Sequence, residues 1–187
     1  MNGEKADELT PRRIEELFSS DRNVQYEAVL YFQELTERPV SWAYEVWDVL
    51  IEKLRHKDNH QRAIAAQILC NLAKSDPQAR MLKDFGALLA VTKDERFLTA
   101  RHCLQNLWKV GQAGKPQQEL LVKGLEKRFH ECISEKNCTL IRYDIIVDLR
   151  QFYDAVGDGS VRAKALELIE TEADLKYKKK YAGVWKV

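Results

Sequence analysis

The chain has 187 residues but only eight glycines and four prolines. These residues form most tight turns between short strands, so their scarcity favours long helices over a fold of many strands. Apolar residues make up 45% of the chain and charged residues 32%, a balance typical of a globular protein rather than a disordered one. A chain of this length can form one domain with a substantial core.

The chain also lacks an excess of either charge, because 30 basic residues are balanced by 29 acidic ones. Nucleic-acid-binding proteins more often carry an overall basic excess, so the total charge argues against that class, although a local patch stays possible. No apolar run approaches the roughly eighteen residues of a membrane span, and the first ten residues lack the apolar segment of a signal peptide. We therefore expect a cytoplasmic protein with no membrane partner.

Paired metal ligands and catalytic motifs are missing as well. The four cysteines, Cys70, Cys103, Cys132 and Cys138, form no Cys-x-x-Cys pair and no cluster with histidine, so we expect reduced thiols without a zinc site. There is no glycine-rich phosphate loop, nucleophile elbow or His-Glu-x-x-His motif. The sequence predicts no metal and no cofactor, and it favours a binding function over an enzymatic one.

What the chain does contain is a repeated apolar helix. Ala28, Ala65 and Ala100 lie 37 and 35 residues apart, and each is followed by an apolar residue four positions later and a leucine seven positions later. These positions lie along one stripe of an α-helix. Segments around Ile145 and Ala165 extend the series. Helix pairs that recur at this spacing predict a solenoid, because no single pair can bury its apolar face alone.

The starts of these helices recur too. Asp21, Asp58 and Asp158 each stand seven residues before the aligned alanine, where an aspartate can accept hydrogen bonds from the first amides of a helix. Val24 and Val161 occupy the next core position in two copies. The predicted helices lie near 11–19, 22–37, 41–56, 59–74, 77–91, 95–110, 115–134, 138–155 and 159–179.

The segments DRNVQYEA, DNHQRAIA and DGSVRAKA, which begin at Asp21, Asp58 and Asp158, resemble the second helix of HEAT repeats. The segments CNLAKSDP and QNLWKVG resemble the third helix of armadillo repeats, where an asparagine precedes an apolar residue. The likeness covers residues 11 to about 172 and implies a fold but no reaction. The whole chain resembles small prokaryotic HEAT-repeat proteins of unassigned activity.

From the repeat and the resemblance we expect an all-α fold, a right-handed α–α superhelix of the HEAT/armadillo-like type. It would contain about four helix pairs plus a terminal helix. A single domain would span residues 11–179, after a disordered or frayed N-terminus at 1–10 and before a C-terminal tail at 180–187.

Two asparagines suggest a binding surface. Asn71 and Asn106 hold equivalent places, and a lysine follows each of them three residues later on the same helix face. In armadillo proteins, which the pattern resembles, such an asparagine ladder binds the backbone of an extended peptide, and amides can both donate and accept there. The candidate peptide-binding residues are Gln67, Asn71, Lys74, His102, Asn106 and Lys109. A protein or peptide partner is therefore the leading hypothesis.

The same residues also have a purely structural interpretation. An asparagine on an inner helix can simply satisfy a neighbouring carbonyl, and lysines there are usually solvated. The ladder has only two clear asparagines, because the matching positions of the first and fourth copies hold Glu34 and Asp148. The armadillo groove has a tryptophan four residues before its asparagine, where this chain has Gln67 and His102.

A nucleic-acid partner is the alternative. One HEAT-like family removes alkylated bases from DNA with tryptophans and an aspartate, and Trp42, Trp47 and Asp48 resemble such a set. The tail adds Lys178, Lys179 and Lys180 among aromatic residues, which could bind a phosphate backbone. The structural interpretation is that the tryptophans pack in the core and that the tail covers the end of the solenoid.

Overall fold

The computed structural model describes residues 11–186, which contain ten α-helices and no strand. The helices are α1 Pro11–Leu17, α2 Arg22–Leu35, α3 Ala43–Lys53, α4 Asn59–Leu72, α5 Met81–Ala90, α6 Phe97–Leu104, α7 Lys115–Glu131, α8 Cys138–Val156, α9 Gly159–Glu170 and α10 Leu175–Val184. Short 3-10 segments follow four of them, at Ala73–Ser75, Val91–Lys93, Leu107–Ala113 and Cys132–Ser134. The predicted all-α class is confirmed, and the predicted frayed segment 1–10 lies outside the described residues.

Aspartates begin the helices as the sequence predicts. The Asp21 carboxylate accepts hydrogen bonds from the amides of Asn23 and Val24 at the start of α2. Asp58 and Asp158 make the same kind of cap for α4 and α9. Each cap satisfies amides that have no partner inside the helix, so it defines where the helix begins.

A fourth capping aspartate divides the last predicted helix in two. The sequence predicts one helix over 159–179, but α9 ends at Glu170, and Asp174 then accepts hydrogen bonds from the amides of Lys176 and Tyr177. The aspartate stabilises a new helix start, because free amides at a helix N-terminus favour a negative charge.

The predicted core position of Val24 is wrong. Val24 is 37% exposed, whereas Val161, its counterpart in the repeat, is 2% exposed. Helix α2 comes early in the described chain and packs against α1 and α4. Among residues 11–186, α2 contacts an equivalent helix of the repeat on one side only, namely α4, so part of its apolar stripe stays uncovered.

The helices pack in two alternating series. Helix α2 contacts α4, which contacts α6, which contacts α8, which contacts α10; α3 contacts α5, which contacts α7, which contacts α9. Side-chain hydrogen bonds join residues about one repeat apart: 35 positions for Asn71 and Thr36, 38 for Lys109 and Asn71, and 37 for Trp47 and Asp84. The contacts therefore follow the spacing of the sequence repeat.

The fifth copy forms a buried helix that contacts both series. The alignment places Ala165 and Ile169 with the helices of α2, α4, α6 and α8, and α9 packs against both α8 and α7, while α10 packs against α8 and α9. Both residues are buried, at 0% and 2% exposure. An apolar stripe with a capping aspartate marks a helix that faces the core, and it does not distinguish the two helices of a pair.

Residues 175–186 are part of the packed domain. The boundary expected at residue 180 falls inside α10, which ends at Val184. Beyond that boundary, Tyr181 and Trp185 are buried, at 0% and 5% exposure. The Tyr181 hydroxyl donates a hydrogen bond of 2.7 Å to the carbonyl of Thr139. These aromatic residues cover the end of the helical core, as the structural interpretation of the tail predicts.

The four cysteines are free, and Cys70, Cys103 and Cys132 are buried. Burial raises the pKa of the Cys70 thiol, which favours its uncharged form. The Sγ atoms of Cys132 and Cys138 lie 2.8 Å apart. Within residues 11–186 no helix is both long and apolar enough to cross a lipid bilayer.

Candidate functional site

A cavity of about 390 Å³ opens across α2, α4 and the segment that follows α6. The residues that line this polar cavity are Gln33, Thr36, Glu37, Gln67, Asn71, Lys74, Asn106 and Lys109. Five of the six residues predicted to bind a peptide are among them. The sixth, His102, is exposed on α6 and does not line the cavity, although its carbonyl accepts a hydrogen bond from the Asn106 amide at 2.8 Å.

The repeat explains why these residues come together. Equivalent positions on stacked helices share one face, so residues about one repeat apart become neighbours. The side-chain amide Nε2 of Gln33 donates to the side-chain oxygen Oε1 of Gln67 at 3.4 Å, across 34 positions of sequence. Gln33, Thr36 and Glu37 were not predicted, although the separation between Gln33 and Gln67 matches the repeat and could have revealed the first of them.

Asn71 is bonded within the protein at both ends of its side chain. Its Nδ2 donates to the Thr36 hydroxyl at 3.0 Å, and its Oδ1 accepts a hydrogen bond of 2.6 Å from the Lys109 ammonium. The Thr36 hydroxyl in turn donates to the carbonyl of Phe32 at 2.6 Å. Asn71 is only 7% exposed. Its role in this structure is to hold Lys109 in place.

Asn106 is more open than its counterpart. Its Oδ1 accepts a hydrogen bond of 2.7 Å from Lys109, and its Nδ2 donates to the carbonyl of His102. A side-chain amide carries two N–H donors, so each asparagine keeps one N–H unused by the described residues. The two members of the predicted ladder therefore differ in exposure and not in their number of bonds: Asn71 is buried and closed, whereas Asn106 is partly exposed and open.

Lys74 follows α4, and its ammonium group lies at the C-terminal end of α2. Its ammonium donates to the carbonyls of Thr36 and Glu37 at 3.0 and 2.9 Å. Carbonyls at a helix C-terminus lack helical partners and carry partial negative charge, so a cation is stabilised there. Burial lowers the pKa of Lys74, and the positive charge of Lys109 lowers it further.

Lys109 completes the site from the other side. Its ammonium contacts the amide oxygens of Asn71 and Asn106 and lies 6.0 Å from the centre of the Trp108 ring. Lys109 is partly buried, and this burial lowers its pKa. Among residues 11–186 no carboxylate lies within 4.0 Å of the ammonium nitrogen of Lys74 or Lys109.

Two carboxyl groups lie in the surroundings of these lysines. Glu37 lines the cavity and is exposed, and its negative charge raises the pKa of both lysines. Asp148 is fully buried on α8; its Oδ1 accepts a hydrogen bond from the Trp108 amide at 3.0 Å. Its Oδ2 has no hydrogen-bond partner in the described part of the chain. Burial raises the pKa of Asp148 well above its usual value, which favours the uncharged acid.

The residues proposed for base recognition are not presented to a ligand. Trp42 and Trp47 are buried, at 5% and 0% exposure, and the Trp47 indole donates to the Asp84 carboxylate at 2.9 Å. Asp48 is exposed and forms an ion pair with Arg80. The two rings therefore belong to the core, as their structural interpretation predicts.

The tail lysines have different surroundings. Lys178 pairs with Glu170 at 2.8 Å, and the Lys180 ammonium lies 4.4 Å from the centre of the Tyr143 ring. Lys179 is exposed. No group of three or more histidine, cysteine, aspartate or glutamate side chains within residues 11–186 could hold a metal ion.

Comparisons of the chain with protein-family models, with curated proteins and with solved structures found no match.

Proposed function

We propose that the chain is a binding module for a protein or peptide and that the polar cavity is the centre of its binding surface. The observation that carries this proposal is that one cavity contains Gln67, Asn71, Lys74, Asn106 and Lys109, which sequence reasoning selected as a binding face. A concave site with converging polar groups is the usual form of a binding pocket.

In this proposal the helices stack as a HEAT/armadillo-like α–α superhelix. Helices α2, α4, α6 and α8 would be its inner helices, and α3, α5 and α7 its outer ones. The alternating contacts between these helices support the arrangement, as do hydrogen bonds between side chains 35 to 38 residues apart. Stacked repeats offer an extended surface along which a peptide chain can lie.

The polar cavity would recognise such a chain mainly through donors. The free N–H of Asn106 and the amides of Gln33 and Gln67 can bond the carbonyl groups of an extended peptide. Asn71 would act indirectly, because it is only 7% exposed and is bonded to Thr36 and Lys109. This differs from a ladder in which every asparagine contacts the peptide.

A random-peptide display library selected on the purified protein would test the proposal. The selected peptide would then be measured by calorimetry against wild type and Gln67→Phe, in which an aromatic ring fills part of the cavity. We expect a loss of at least roughly tenfold in affinity, because a ring at this place excludes the peptide.

The matched control is Gln151→Phe, the same change at an exposed position of α8 that does not line the cavity. The control should bind within about twofold of wild type. Equal affinities for the control and for Gln67→Phe, or a library that yields no saturable binder, would contradict the proposal.

The nucleic-acid alternative from the sequence gains no support from the burial of Trp42 and Trp47. A gel-shift assay with duplex and single-stranded DNA tests it directly. Binding to phosphates releases counterions, so a true complex must weaken steeply as salt is raised. A salt-sensitive shift at low protein concentration would favour the alternative over a peptide partner.

A further inference from the structure

We propose that the polar cavity binds a carboxylate group of a polypeptide between the ammonium groups of Lys74 and Lys109. This inference rests on the proposed function and names the chemical group that the peptide would offer. The carboxylate can come from a chain end or from an aspartate or glutamate side chain. Both sources present the same pair of oxygen atoms.

Lys74 and Lys109 each keep an unused hydrogen-bond donor. An ammonium group carries three N–H donors. Lys74 uses two of them on the carbonyls of Thr36 and Glu37, and Lys109 uses two on the amide oxygens of Asn71 and Asn106. Each lysine therefore retains one donor, and both side chains line the same cavity.

The ammonium groups of Lys74 and Lys109 are also preorganised. Internal hydrogen bonds already hold both ammonium groups, so a ligand need not order two flexible lysine side chains on binding. Thr36 links the two halves of the site, because its carbonyl accepts from Lys74 and its hydroxyl accepts from Asn71, which in turn holds Lys109. A preorganised pair of donors lowers the entropic cost of binding.

The positive charges of Lys74 and Lys109 form no ion pair within the described part of the chain. Neither lysine has a carboxylate within 4.0 Å among residues 11–186, although burial makes both charges costly. The positive charge of Lys109 also lowers the pKa of Lys74. An anion placed between them would relieve this repulsion and form charge-assisted hydrogen bonds.

The charge balance favours a carboxylate over a phosphate group. Of the charged side chains that line the cavity, the two ammonium groups and the carboxylate of Glu37 leave a single net positive charge. A carboxylate neutralises one charge, whereas a phosphomonoester brings about −1.5 to −2 at neutral pH. The cavity of about 390 Å³ is also much larger than a carboxylate, so it admits the residue that bears the group.

Nuclear magnetic resonance of ¹⁵N-labelled protein would test the inference with four small probes. N-acetylglycine carries the carboxylate of a chain end, and N-acetylglutamic acid α-amide carries that of a side chain. N-acetylglycinamide is the uncharged control, and inorganic phosphate is the competing anion. We expect saturable shifts of the side-chain amide signals of Asn71 and Asn106 with one or both carboxylate probes, and weaker or no shifts with the other two.

The sharpest variant is Glu37→Gln, which removes the only acidic side chain lining the cavity. Glu37 is exposed, and its contact with Lys74 uses the backbone carbonyl, so the fold does not depend on its carboxylate. We expect the affinity for the carboxylate probe to rise about threefold, because repulsion between two carboxylates is removed. The matched control Glu34→Gln changes an exposed position of α2 outside the cavity lining and should leave the affinity unchanged.

Loss of the cation completes the test. Lys109→Met should abolish saturation, whereas Lys179→Met, at an exposed position of α10, should leave it unchanged. Equal shifts with N-acetylglycinamide, tighter binding of phosphate, no saturable shift, or no gain in Glu37→Gln would each overturn the inference.

The inference and the proposed function can fail separately. If the carboxylate probes do not bind but a selected peptide still binds wild type and not Gln67→Phe, the binding module stands and the carboxylate site does not. If the carboxylate probes bind but no peptide does, the cavity is a site for small carboxylates and the peptide function is wrong.

Discussion

Lys74, Arg128 and Arg142 each donate to a carbonyl near a helix C-terminus, but they differ in how their charge is balanced. Arg128 on α7 donates to the carbonyl of Thr92, after α5, at 3.0 Å, and to both carboxylate oxygens of Glu135 at 2.6 and 2.8 Å. Arg142 on α8 donates to the carbonyl of Phe129 at 3.1 Å and to Glu172 at 2.8 Å. Both arginines are buried and have a carboxylate partner.

Lys74 makes the same kind of contact without the carboxylate. It links the end of α4 to the carbonyls of Thr36 and Glu37 at the end of α2, one repeat earlier, as Arg128 links α7 to the segment after α5. The arginine contacts are closed, because each guanidinium is paired with a carboxylate of the same chain. The lysine contact is open towards a cavity. The same structural link therefore has its charge paired with a carboxylate in one case and left unpaired beside a cavity in the other.

The largest effect is expected when a closed pair is broken. Glu172→Ala leaves the guanidinium of Arg142 buried without its carboxylate, and removal of one partner of a buried pair costs about 3 kcal/mol. The side chains of this pair are only 11% and 6% exposed. Urea unfolding followed by circular dichroism would measure the loss.

The control for this prediction is Glu167→Ala, since Glu167 pairs with Lys164 at the surface and is 61% exposed. Exposed ion pairs contribute little, so the control should change the free energy of unfolding by less than about 1 kcal/mol. Similar losses in the two variants would show that the Arg142 pair is no more closed than a surface pair.

A smaller effect should separate the two asparagines of the repeat. Asn71→Ala removes the acceptor for Lys109 and the donor for the buried Thr36 hydroxyl, so we expect a loss of about 1–2 kcal/mol in unfolding free energy. Asn106→Ala, at the more open position, should cost less than about 0.5 kcal/mol. The order of the two unfolding midpoints in urea tests this, and equal losses would remove the distinction between a closed and an open position.

Much of this architecture follows from spacing. The helix starts at Asp21, Asp58 and Asp158 were predicted because a cap depends on a local pattern, and most of the cavity was predicted because equivalent positions of stacked repeats share a face. The bonds of Asn71 were not predicted, since its partner Thr36 lies in another repeat at a different repeat position. Position in a repeat indicates which residues are neighbours, while the atoms they bond depend on side-chain geometry.

The same limit applies to the end of the chain. The stripe around Ala165 predicted a buried helix, and burial is confirmed, but the pattern could not show which helices it packs against, and α9 contacts both α7 and α8. The contacts at this end also depend on the break before α10, after which α10 packs against α8 and α9. Asp174 causes this break locally, but the prediction of one helix over 159–179 gave no weight to a capping residue within an otherwise helical pattern.

The smallest effect concerns the open charges themselves and appears as a dependence on pH. The pKa of Lys74 and of Lys109 is lowered in the folded protein from the usual 10.5, so the unfolded chain binds more protons than the folded one at alkaline pH. Stability from these two groups must therefore rise as pH increases from below their lowered values towards 10.5. Replacement of both ammonium groups in Lys74→Met/Lys109→Met removes this rise.

We therefore expect the difference in unfolding free energy, double variant minus wild type, to be largest at pH 7 and to decrease as the pH approaches 10. Burial raises the pKa of Tyr181, which makes both proteins less stable at alkaline pH, but this contribution cancels in the difference. Glu37 and Asp148 near the lysines are present in both proteins as well. Urea unfolding at four pH values measures the difference, with Lys179→Met as the control that should follow wild type. Parallel curves for the double variant and wild type would mean that the two ammonium groups are as well solvated as surface lysines, and the contrast with Arg128 and Arg142 would then lie only in geometry.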